Sequence, residues 1–452
     1  MSTMRKPQSQ RNKKLIRSSR KKFDKRLSRP VLAFLFAMSL LSYLPKANAH
    51  DSTAANLKLM QVFDPPEGQF VDATNWIEYP LNRWSFQNVR RFMPTAPLYR
   101  NLANFTPFVE NRQNLNGVLV KLNRNEARTF NQIMDAWQTD SIVVLHNGKL
   151  VYERYWNGMT PTKPHAVFSV SKSYIGTLAA MLIERGDLKR DRTIASYVPE
   201  LAKSGFAEAT LGEILDMTAG TAWDESPAAI ADTKSLVRQY GAATGSIQQL
   251  GVRGVGVAGF LPTVKKDRPH GDVFVYNSPQ VDVMGWVIAN ATGRSLVDNI
   301  NAEIWSKLGT EADAYYMLDS RGVPWATGGI NASARDMARF GQMMLNGGHF
   351  GGRQIVPNSV IKKILTFGNI ETFAKGPSAS TYPKGAYRDF WWITNNDDGA
   401  YLAKGIFGQL IYINPRAQVV IARHASEEAA SNTKRTIEVE TAFQAVADYL
   451  SR

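Results

Sequence analysis

Cysteine is absent from the 452-residue sequence, and its absence excludes several kinds of chemistry at once. Without thiols the chain has no disulfide framework, no thiolate metal site and no cysteine nucleophile. It also has no cysteine that could carry a lipid behind an export signal. Any covalent catalysis in this chain therefore has to use another side chain.

Histidine is scarce, and its spacing does not suit a metal. The six histidines are scattered singly, without the His-x-His or His-Glu-x-x-His spacing that holds a metal ion from one element: His50, His146, His165, His270, His349 and His424. No Gly-x-Ser-x-Gly elbow is present, which disfavours an α/β-hydrolase, and no Glu-x-x-Leu-Asn segment is present to supply a carboxylate base. We therefore expect no metal and no cofactor.

The formal net charge of +15 is concentrated at the front of the chain. Residues 1–49 hold thirteen Lys or Arg and one Asp, so they carry +12 and leave +3 for residues 50–452. A nearly neutral body lacks the basic surface that binds a phosphate backbone. We therefore expect no nucleic-acid partner.

The same front segment has the pattern of an export signal. A basic stretch precedes fourteen mostly apolar residues at 31–44 and then Ala47, Asn48 and Ala49, the small-x-small pattern of signal peptidase sites. Such a run is short for a bilayer span, which takes about 20 residues. We expect cleavage after Ala49, a periplasmic or secreted protein, and membrane contact through the signal only. The alternatives are an uncleaved anchor or a basic tail, and the export route stays open.

Behind the signal, the pattern changes from irregular to regular. Residues 50–138 are rich in Asn, Pro and aromatic side chains with little periodicity, which predicts an irregular wrapping segment. Residues 141–146 and 149–155 read as strands around Asn147-Gly148, a dipeptide typical of two-residue hairpins. Helical spacing follows at residues 170–185. An antiparallel pair leading into a helix is therefore predicted here.

The rest of the chain predicts a sheet completed from both ends. Residues 193–318 are largely helical and form an inserted lobe within a catalytic domain at 139–452, and the Gly-rich stretch 241–259 predicts a loop. Strand patterns then return at 390–394, 408–413 and 418–424. An amphipathic helix at 436–450 closes the chain. We predict the α/β (α+β) class, with an antiparallel sheet flanked by helices and an inserted all-helical lobe.

A Ser-x-x-Lys pattern places a hydroxyl and an amine one helical turn apart, where the amine can take the hydroxyl proton. The pattern occurs at residues 18–21, 19–22, 169–172, 359–362 and 431–434. Only the copy at Ser169 and Lys172 starts an apolar helix directly after the predicted hairpin, a position that buries the lysine and lowers its pKa. Ser169 is therefore the predicted nucleophile and Lys172 the predicted base. The alternative is an N-cap serine beside a solvated lysine.

Tyr276, Asn277 and Ser278 form a second candidate element. They follow a polar loop and precede a predicted helix that starts near residue 279. A phenol beside a cation such as Lys172 can act as acid or base and pass a proton to a leaving group. Tyr276 is the predicted third catalytic residue, with Ser278 as a substrate-binding candidate. The alternative for Tyr276 is a core tyrosine with a satisfied hydroxyl.

The order and spacing of these motifs resemble the class C β-lactamase superfamily. Its pattern is Ser-x-x-Lys, then Tyr-x-Asn/Ser about a hundred residues later, then Lys-Thr/Ser-Gly on a late strand. Five stretches are closest to the 6-aminohexanoate-dimer hydrolase branch: FSVSKS (168–173), LDMTAG (215–220), GGINA (328–332), RDMARF (335–340) and GIFGQ (405–409). The resemblance covers about residue 82 to the end and implies a β-lactamase/penicillin-binding-like fold.

The third motif departs from that pattern. No Lys-Thr/Ser-Gly follows Tyr276, and the Lys-Ser-Gly at residues 203–205 precedes it. The expected counterpart is Lys404-Gly405-Ile406, whose Ile406 amide, or a neighbouring one, would be an oxyanion donor. Without a hydroxyl at the middle position, binding of a β-lactam carboxylate is disfavoured. Small amide or ester substrates are favoured instead.

The resemblance implies a serine hydrolase that forms an acyl-enzyme on Ser169. Cleavage of an amide bond, as in the 6-aminohexanoate-dimer hydrolases, is the first choice, with a family VIII-type carboxylesterase or a β-lactamase as alternatives. A catalytically silent binding protein of the same fold is the alternative from another class. Trp223, Asp224 and Glu225 are expected at the rim of the pocket, where they could bind a cationic amine. The oligomeric state stays open.

Overall fold

The structure is a computed structural model that describes residues 52–247 and 254–452. The expected export signal at residues 1–49 lies outside the described residues. Within those residues, no helix is long and apolar enough to cross a membrane.

The described residues contain fifteen strands: β1 (Thr95–Leu98), β2 (Leu119–Lys121), β3 (Ala127–Thr129), β4 (Thr139–His146), β5 (Lys149–Tyr155), β6 (His165–Ala166), β7 (Ala314–Met317), β8 (Ile330–Ala332), β9 (His349–Phe350), β10 (Arg353–Gln354), β11 (Ala386–Arg388), β12 (Trp391–Ile393), β13 (Tyr401–Gly405), β14 (Gln409–Asn414) and β15 (Val419–Ala425). They form a seven-stranded sheet, a four-stranded sheet and two separate strand pairs.

The same residues contain fourteen α-helices: α1 (Asn82–Ser85), α2 (Phe130–Ala136), α3 (Val170–Arg185), α4 (Ile194–Tyr197), α5 (Leu211–Leu215), α6 (Pro227–Ala231), α7 (Leu236–Thr244), α8 (Gly256–Phe260), α9 (Pro279–Thr292), α10 (Leu296–Glu303), α11 (Ala334–Leu345), α12 (Asn358–Thr366), α13 (Ile370–Ala374) and α14 (Thr433–Leu450). Short 3₁₀ turns connect several of them.

The large sheet is antiparallel in every pairing and has the order β11-β12-β13-β14-β15-β4-β5. Strand β15, near the end of the chain, pairs with β4 along nearly its whole length. Residues far apart in the sequence therefore meet inside one sheet. This confirms the prediction of an antiparallel sheet that is completed from both ends and flanked by helices.

Alternating side chains divide the core between the two faces of this sheet, as the two-residue period of a strand requires. One face packs against α3 and α11 through Val143, Leu145, Ile411, Val420 and Ala422. The other face packs against α2 and α14 through Ile142, Val144, Tyr412, Val419 and Ile421. The sheet is thus the middle layer between two sets of helices.

The predicted hairpin and the helix after it are confirmed. Asn147 and Gly148 have φ of 50° and 73° between β4 and β5, the left-handed pair that a tight hairpin turn needs. Helix α3 spans the predicted residues 170–185 and ends at Gly186, whose φ of 92° is left-handed. Helix α3 is buried along most of its length and lies beneath the predicted site.

The lobe at residues 193–318 is mostly helical, as predicted, but its last part is a strand. Strand β7 belongs to a four-stranded sheet of order β1-β7-β8-β6 that the sequence pattern did not predict. All four residues of β7 are buried, so they show no alternation, and β6 has only two residues. Short apolar runs of this kind cannot be distinguished from helix by periodicity.

The segment at residues 50–138 contains more regular structure than expected. It supplies β1 to the small sheet, the β2–β3 pair, and α2, which begins with a capping box between Thr129 and Gln132. Helix α2 packs beside α14 on the large sheet. The prediction of an irregular segment is therefore wrong for residues 95–98 and 119–136, where pairing with distant residues creates the structure.

Helices occupy both ends of the Gly-rich stretch 241–259, where the sequence predicts a loop. Helix α7 runs into it and ends at Gly245, whose φ of 75° is left-handed, and α8 begins at Gly256. Residues 248–253 lie outside the described residues. The glycines mark helix ends here, which the expectation of one continuous loop missed.

Candidate active site

Ser169 lies where the chain turns sharply from β6 into α3. Phe168, just before it, has φ of 46°, a left-handed value that is uncommon for a bulky side chain. Ser169 itself has φ of −65° and ψ of −6° and makes no side-chain capping bond to the helix. Its half-buried hydroxyl is thus not used as an N-cap, which was the alternative to a nucleophile.

Lys172 stands one turn further along α3 and is only 1 % exposed. Its Nζ lies 2.8 Å from Ser169 Oγ and 2.8 Å from the carbonyl oxygen of Thr327. Burial lowers the pKa of Lys172 to about 8, partly opposed by the carboxylates of Glu225 and Asp282. A carbonyl oxygen only accepts hydrogen bonds, so the Lys172 amine donates one to Thr327. The lone pair of the neutral amine can then face the serine hydroxyl.

Tyr276 lies in the loop before α9, with Lys172 Nζ 5.3 Å from the centre of its ring. The Trp392 indole on β12 stacks on that ring with a centroid distance of 5.5 Å. Burial raises the pKa of the Tyr276 phenol above its ordinary value, as does Glu225, while a side-chain hydrogen bond with Ser169 acts in the opposite direction. The phenol therefore keeps its proton at neutral pH and is suited to act as an acid.

The end of β13 lies directly against the Ser169 turn. A Cβ at Gly405 would stand 2.5 Å from the carbonyl oxygen of Val167 and 3.2 Å from the amide nitrogen of Ser169, so no larger residue fits without a shift. Ile406 follows, with its side chain 38 % exposed at the surface beside the site. The predicted oxyanion element at Gly405 and Ile406 is thus adjacent to the predicted nucleophile.

Comparison with known proteins agrees with this geometry. Residues 127–441 match the family model described as Beta-lactamase. A 6-aminohexanoate-dimer hydrolase of Paenarthrobacter ureafaciens is 31% identical over 352 residues, which cover 78% of this chain and 87% of that protein. The chain belongs to the beta-lactamase family. This makes it a serine hydrolase and confirms the predicted fold and enzyme class.

Two solved structures have the same fold. A Bacillus anthracis protein provisionally named a 6-aminohexanoate-dimer hydrolase is 32% identical, has a TM-score of 0.78, and covers 86% of this chain and 99% of its own. EstCE1, a hydrolase with promiscuous acyltransferase activity, has a TM-score of 0.55 at 14% identity and covers 69% of this chain and 95% of its own. The second likeness concerns the fold alone.

Lys404, in the expected counterpart of the third β-lactamase-family motif, is bound by groups other than the predicted catalytic residues. Its Nζ lies 2.8 Å from Glu440 Oε1 on α14 and also contacts the Tyr382 hydroxyl. The same ammonium lies 4.8 Å from the ring centre of Tyr382 and 5.4 Å from that of Trp392. This lysine therefore closes an ion pair between the sheet and the last helix.

Trp223, Glu225 and Ser278 form one hydrogen-bonded group beside this site. The Ser278 amide donates to Glu225 Oε1 at 2.6 Å, and the Trp223 indole donates to the same oxygen at 2.5 Å. Trp223 is buried, and its ring packs edge-on against Tyr240 and Phe260. Glu225 is the member of this group that is close enough to raise the pKa of Lys172.

Sequence reasoning missed two groups of residues that support the site. One is Thr327, whose backbone carbonyl contacts Lys172, a role that no side-chain pattern signals. The other is an aromatic cluster under the Ser169 turn: Trp76, Phe86, Phe168 and Phe407, with ring centroids 4.8 to 5.7 Å apart. Phe407 has φ of 58°, so tightly packed rings accompany a left-handed residue on each side of the site.

The arrangement can carry out acyl transfer by a hydroxyl nucleophile. Lys172 can take the Ser169 proton because its burial keeps a large neutral fraction near pH 8. Tyr276 can supply a proton to a leaving group. No group of three or more His, Asp or Glu side chains suited to a metal ion occurs in residues 52–247 and 254–452.

Proposed function

We propose that this enzyme hydrolyses the amide bond of a small linear substrate, as its 6-aminohexanoate-dimer hydrolase relative does, through an acyl-enzyme on Ser169. The observation that carries the proposal is the 2.8 Å contact between Lys172 Nζ and Ser169 Oγ, made by a buried amine. A desolvated lysine next to a serine hydroxyl is an activated pair, since the amine loses its proton more easily than in water.

In the proposed acylation, Lys172 accepts the Ser169 proton while Oγ bonds to the substrate carbonyl carbon. The amides of Ser169 and Ile406 donate to the resulting oxyanion. The carbon–nitrogen bond then breaks as Tyr276 gives its phenolic proton to the leaving amine. Lys172 returns the serine proton to Tyr276, so both residues end as they began. Gly405 supports this step because it lets β13 lie against the Ser169 amide.

In the proposed deacylation, water replaces the amine. It gives a proton to Lys172 as its oxygen bonds to the acyl carbon, and the bond from that carbon to Ser169 Oγ breaks. Lys172 then returns a proton to the serine oxygen. The product acid leaves, and the free enzyme is restored. The contact of Lys172 with both Ser169 and the Tyr276 ring supports one base serving both halves of the cycle.

The proposed preference for a linear amide over a β-lactam, which is a cyclic amide, rests on charge. Lys404 is paired with Glu440, so the one lysine of the late motif is not free to bind a substrate carboxylate. The carboxylate of Glu225 lies close to the site, and Asp224 beside it is exposed. A substrate with an amine at one end fits this acidic side better than an anionic antibiotic does.

We also propose that the chain is exported to the periplasm or the medium after cleavage behind Ala49. The support is the sequence pattern of residues 1–49, with a basic stretch, an apolar run and a small-x-small site. Fractionation of cells producing the full chain, followed by N-terminal sequencing, tests this. We expect a mature protein that begins at His50, and an intact cytoplasmic chain would contradict it.

Labelling and turnover together test the proposed reaction. A fluorophosphonate probe is expected to modify Ser169 in the purified protein, with the adduct located by peptide mass spectrometry. Ser169→Ala removes the adduct, whereas Ser359→Ala is the matched control, because Ser359 starts another Ser-x-x-Lys copy and bonds to Glu184 on the surface. If Ser169 is not labelled in the folded protein, the proposed reaction is wrong.

Three substrates then separate the alternatives. We expect kcat/KM to be highest for a linear aminohexanoate dimer, lower for a short-chain p-nitrophenyl ester, and lowest for a chromogenic cephalosporin. A preference for the ester would identify a carboxylesterase, and a preference for the cephalosporin a β-lactamase. If none of the three is turned over while Ser169 is still labelled, Ser169 remains the nucleophile but the proposed substrate is wrong.

A further inference from the structure

Asp282 is a buried carboxyl group in the first turn of α9, one helical turn after Ser278. It is 2 % exposed. Its Oδ1 accepts from the Thr327 amide at 3.2 Å, and its Oδ2 lies 2.9 Å from the Thr327 hydroxyl and also accepts from the Tyr240 hydroxyl. Burying a carboxyl group this deeply costs free energy unless hydrogen bonds satisfy its oxygens.

Thr327 connects this carboxyl group to the site. Its carbonyl oxygen is the acceptor 2.8 Å from Lys172 Nζ. Residue 327 stands in a turn before β8, where no helix or strand bond holds its peptide. Its position is set instead by the two contacts with Asp282 and by a third, from the Thr327 hydroxyl to the Ser278 carbonyl at 2.7 Å. Asp282 therefore aims the carbonyl that orients the Lys172 amine.

The hydrogen count shows that Asp282 can exist in two states. The Thr327 hydroxyl has one hydrogen but lies within hydrogen-bond distance of two acceptor groups, Ser278 and Asp282. With Asp282 protonated on Oδ2, the carboxyl donates to Thr327, Thr327 donates to Ser278, and Tyr240 still donates to the carboxyl. Every contact is then a hydrogen bond. Burial raises the pKa of Asp282 to about 6, which brings this protonation near neutral pH.

Few titratable groups face Asp282 and Lys172. Asp282 is faced by Tyr240 on α7, by Tyr316 on β7 and by Lys172 on α3. Lys172 is faced in addition by the Glu225 carboxylate and the Tyr276 ring. Both tyrosines facing Asp282 are buried, and burial raises the pKa of each, so neither ionises near neutral pH. Asp282 and Glu225 are thus the carboxylates that act on the amine.

We propose that Asp282 is a positioning residue of this hydrolase: it holds the Thr327 carbonyl against the Lys172 amine and, when ionised, favours the protonated amine by its charge. The inference rests on the proposed function, since it gives Asp282 a role only if Lys172 is the base for Ser169. The hydrogen bonds of Asp282 are made with Thr327 and Tyr240. Its effect passes through Thr327 and through its electric field at Lys172.

The pH profile of Asp282→Asn tests the proposal. The rate constant for fluorophosphonate labelling of Ser169 is measured from pH 5 to 10, because labelling needs the neutral amine. Removal of the charge should move the rising, acid side of the profile to lower pH by about one unit, since a nearby carboxylate raises a lysine pKa. The plateau should stay within about twofold, because Asn can still accept from the Thr327 amide and donate to the Thr327 hydroxyl. Asp282→Ala removes these contacts and should lower the plateau about tenfold, because the Thr327 carbonyl then loses its support.

A second variant keeps the carboxyl group in place. Tyr240→Phe removes one donor to Asp282, which makes the carboxyl easier to protonate and should move the acid side in the same direction by a smaller step. Asp336→Asn is the control, because Asp336 lies in the first turn of α11 and is equally buried, whereas the carboxylates that act on Lys172 are Glu225 and Asp282. It should lower stability and leave the acid side of the profile where it is in the wild type.

The outcomes separate the two proposals. If wild-type Ser169 is not labelled at any pH, the proposed function fails. If it is labelled and the acid side of the profile coincides in wild type, Asp282→Asn and Tyr240→Phe, only the role of Asp282 is overturned. If Asp282→Asn does not fold, Tyr240→Phe decides alone. A shift in the same direction for Asp336→Asn would also overturn the role, because it would mark a general effect of lost stability.

Discussion

Lys172 and Lys404 are the two lysines that sequence motifs assign to the site, and their surroundings differ. Lys172 is 1 % exposed, and its Nζ contacts a hydroxyl and a carbonyl. The Lys404 side chain is 22 % exposed, and its Nζ contacts the carboxylate of Glu440. Both ammonium groups lie over aromatic rings, Lys172 over Tyr276 and Lys404 over Tyr382. The aromatic contact is shared, and the direct carboxylate contact is not.

This comparison shows what makes a lysine a base. Burial without a carboxylate in contact lowers the pKa of Lys172 to about 8, so the neutral amine is available near neutral pH. An ion pair such as Lys404 with Glu440 instead ties a sheet strand to a helix. A motif can therefore name a lysine, but its surroundings decide whether it does chemistry or holds elements together.

Removal of the Lys172 amine should have the largest effect on catalysis. For Lys172→Met we expect kcat/KM to fall by about 10³-fold or more, because a general base typically contributes about 10²- to 10⁴-fold and this one serves both half-reactions. The free energy of unfolding at pH 7 should not fall, since a buried lysine is protonated there at a cost. Steady-state kinetics and urea unfolding measure the two quantities.

An active Lys172→Met enzyme would remove the base from the mechanism. A clear loss of stability with the same loss of activity would also count against it, because Lys172 would then be a structural residue. Activity lost while stability is kept is the combination that the burial of this amine predicts.

The two tyrosines beneath the lysines give a matched pair. Tyr276→Phe should lower kcat by about 10²-fold on an amide, because a poor leaving group needs a proton from the phenol. On a p-nitrophenyl ester the loss should be smaller, since that leaving group departs without one. Tyr382→Phe removes the corresponding hydroxyl near Lys404 and should change neither rate by more than about twofold. Equal losses on amide and ester would contradict an acid role for Tyr276.

How far the sequence predicts this molecule depends on the range of the interactions. The hairpin at β4–β5, the exact span of α3 and the pair Ser169 and Lys172 are encoded within about 50 residues, through turn chemistry, helical spacing and one motif. Comparison with the beta-lactamase family confirms the fold that those motifs predict. Local signals were sufficient wherever the structure depends on neighbours in the chain.

Long-range contacts explain what was missed. The small sheet joins β1 to β7 across more than 200 residues, and its buried strands are too short to show a period. The Thr327 carbonyl reaches Lys172 through backbone, and backbone atoms leave no residue-type signal. The neutralisation of Lys404 by Glu440 depends on where α14 docks against the sheet. A sequence motif or the periodicity of a short segment predicts none of these contacts.

The pH dependence of the wild-type enzyme should follow the protonation of Lys172. Since the base must be neutral, kcat/KM should rise about tenfold per pH unit below pH 8 and level off above it. The rate rises with pH because the neutral amine forms as the pH approaches the Lys172 pKa. Burial lowers that pKa from 10.5 to about 8, so the rise ends near pH 8. Initial rates between pH 5 and 10 measure this. A profile still rising at pH 10 would mean a solvated, ordinary lysine.

Replacing Lys404 should have the smallest effect on catalysis. For Lys404→Met we expect kcat/KM for the amide within about threefold of the wild type, because the ammonium is committed to Glu440 and takes no proton from Ser169. The free energy of unfolding should fall by about 1 kcal/mol, the order of a partly exposed ion pair with an added hydrogen bond. If Lys404→Met instead lost activity on carboxylate-bearing substrates alone, this lysine would bind substrate. The ion pair with Glu440 would then have to open during turnover, and Glu440→Gln should raise the rate on those substrates.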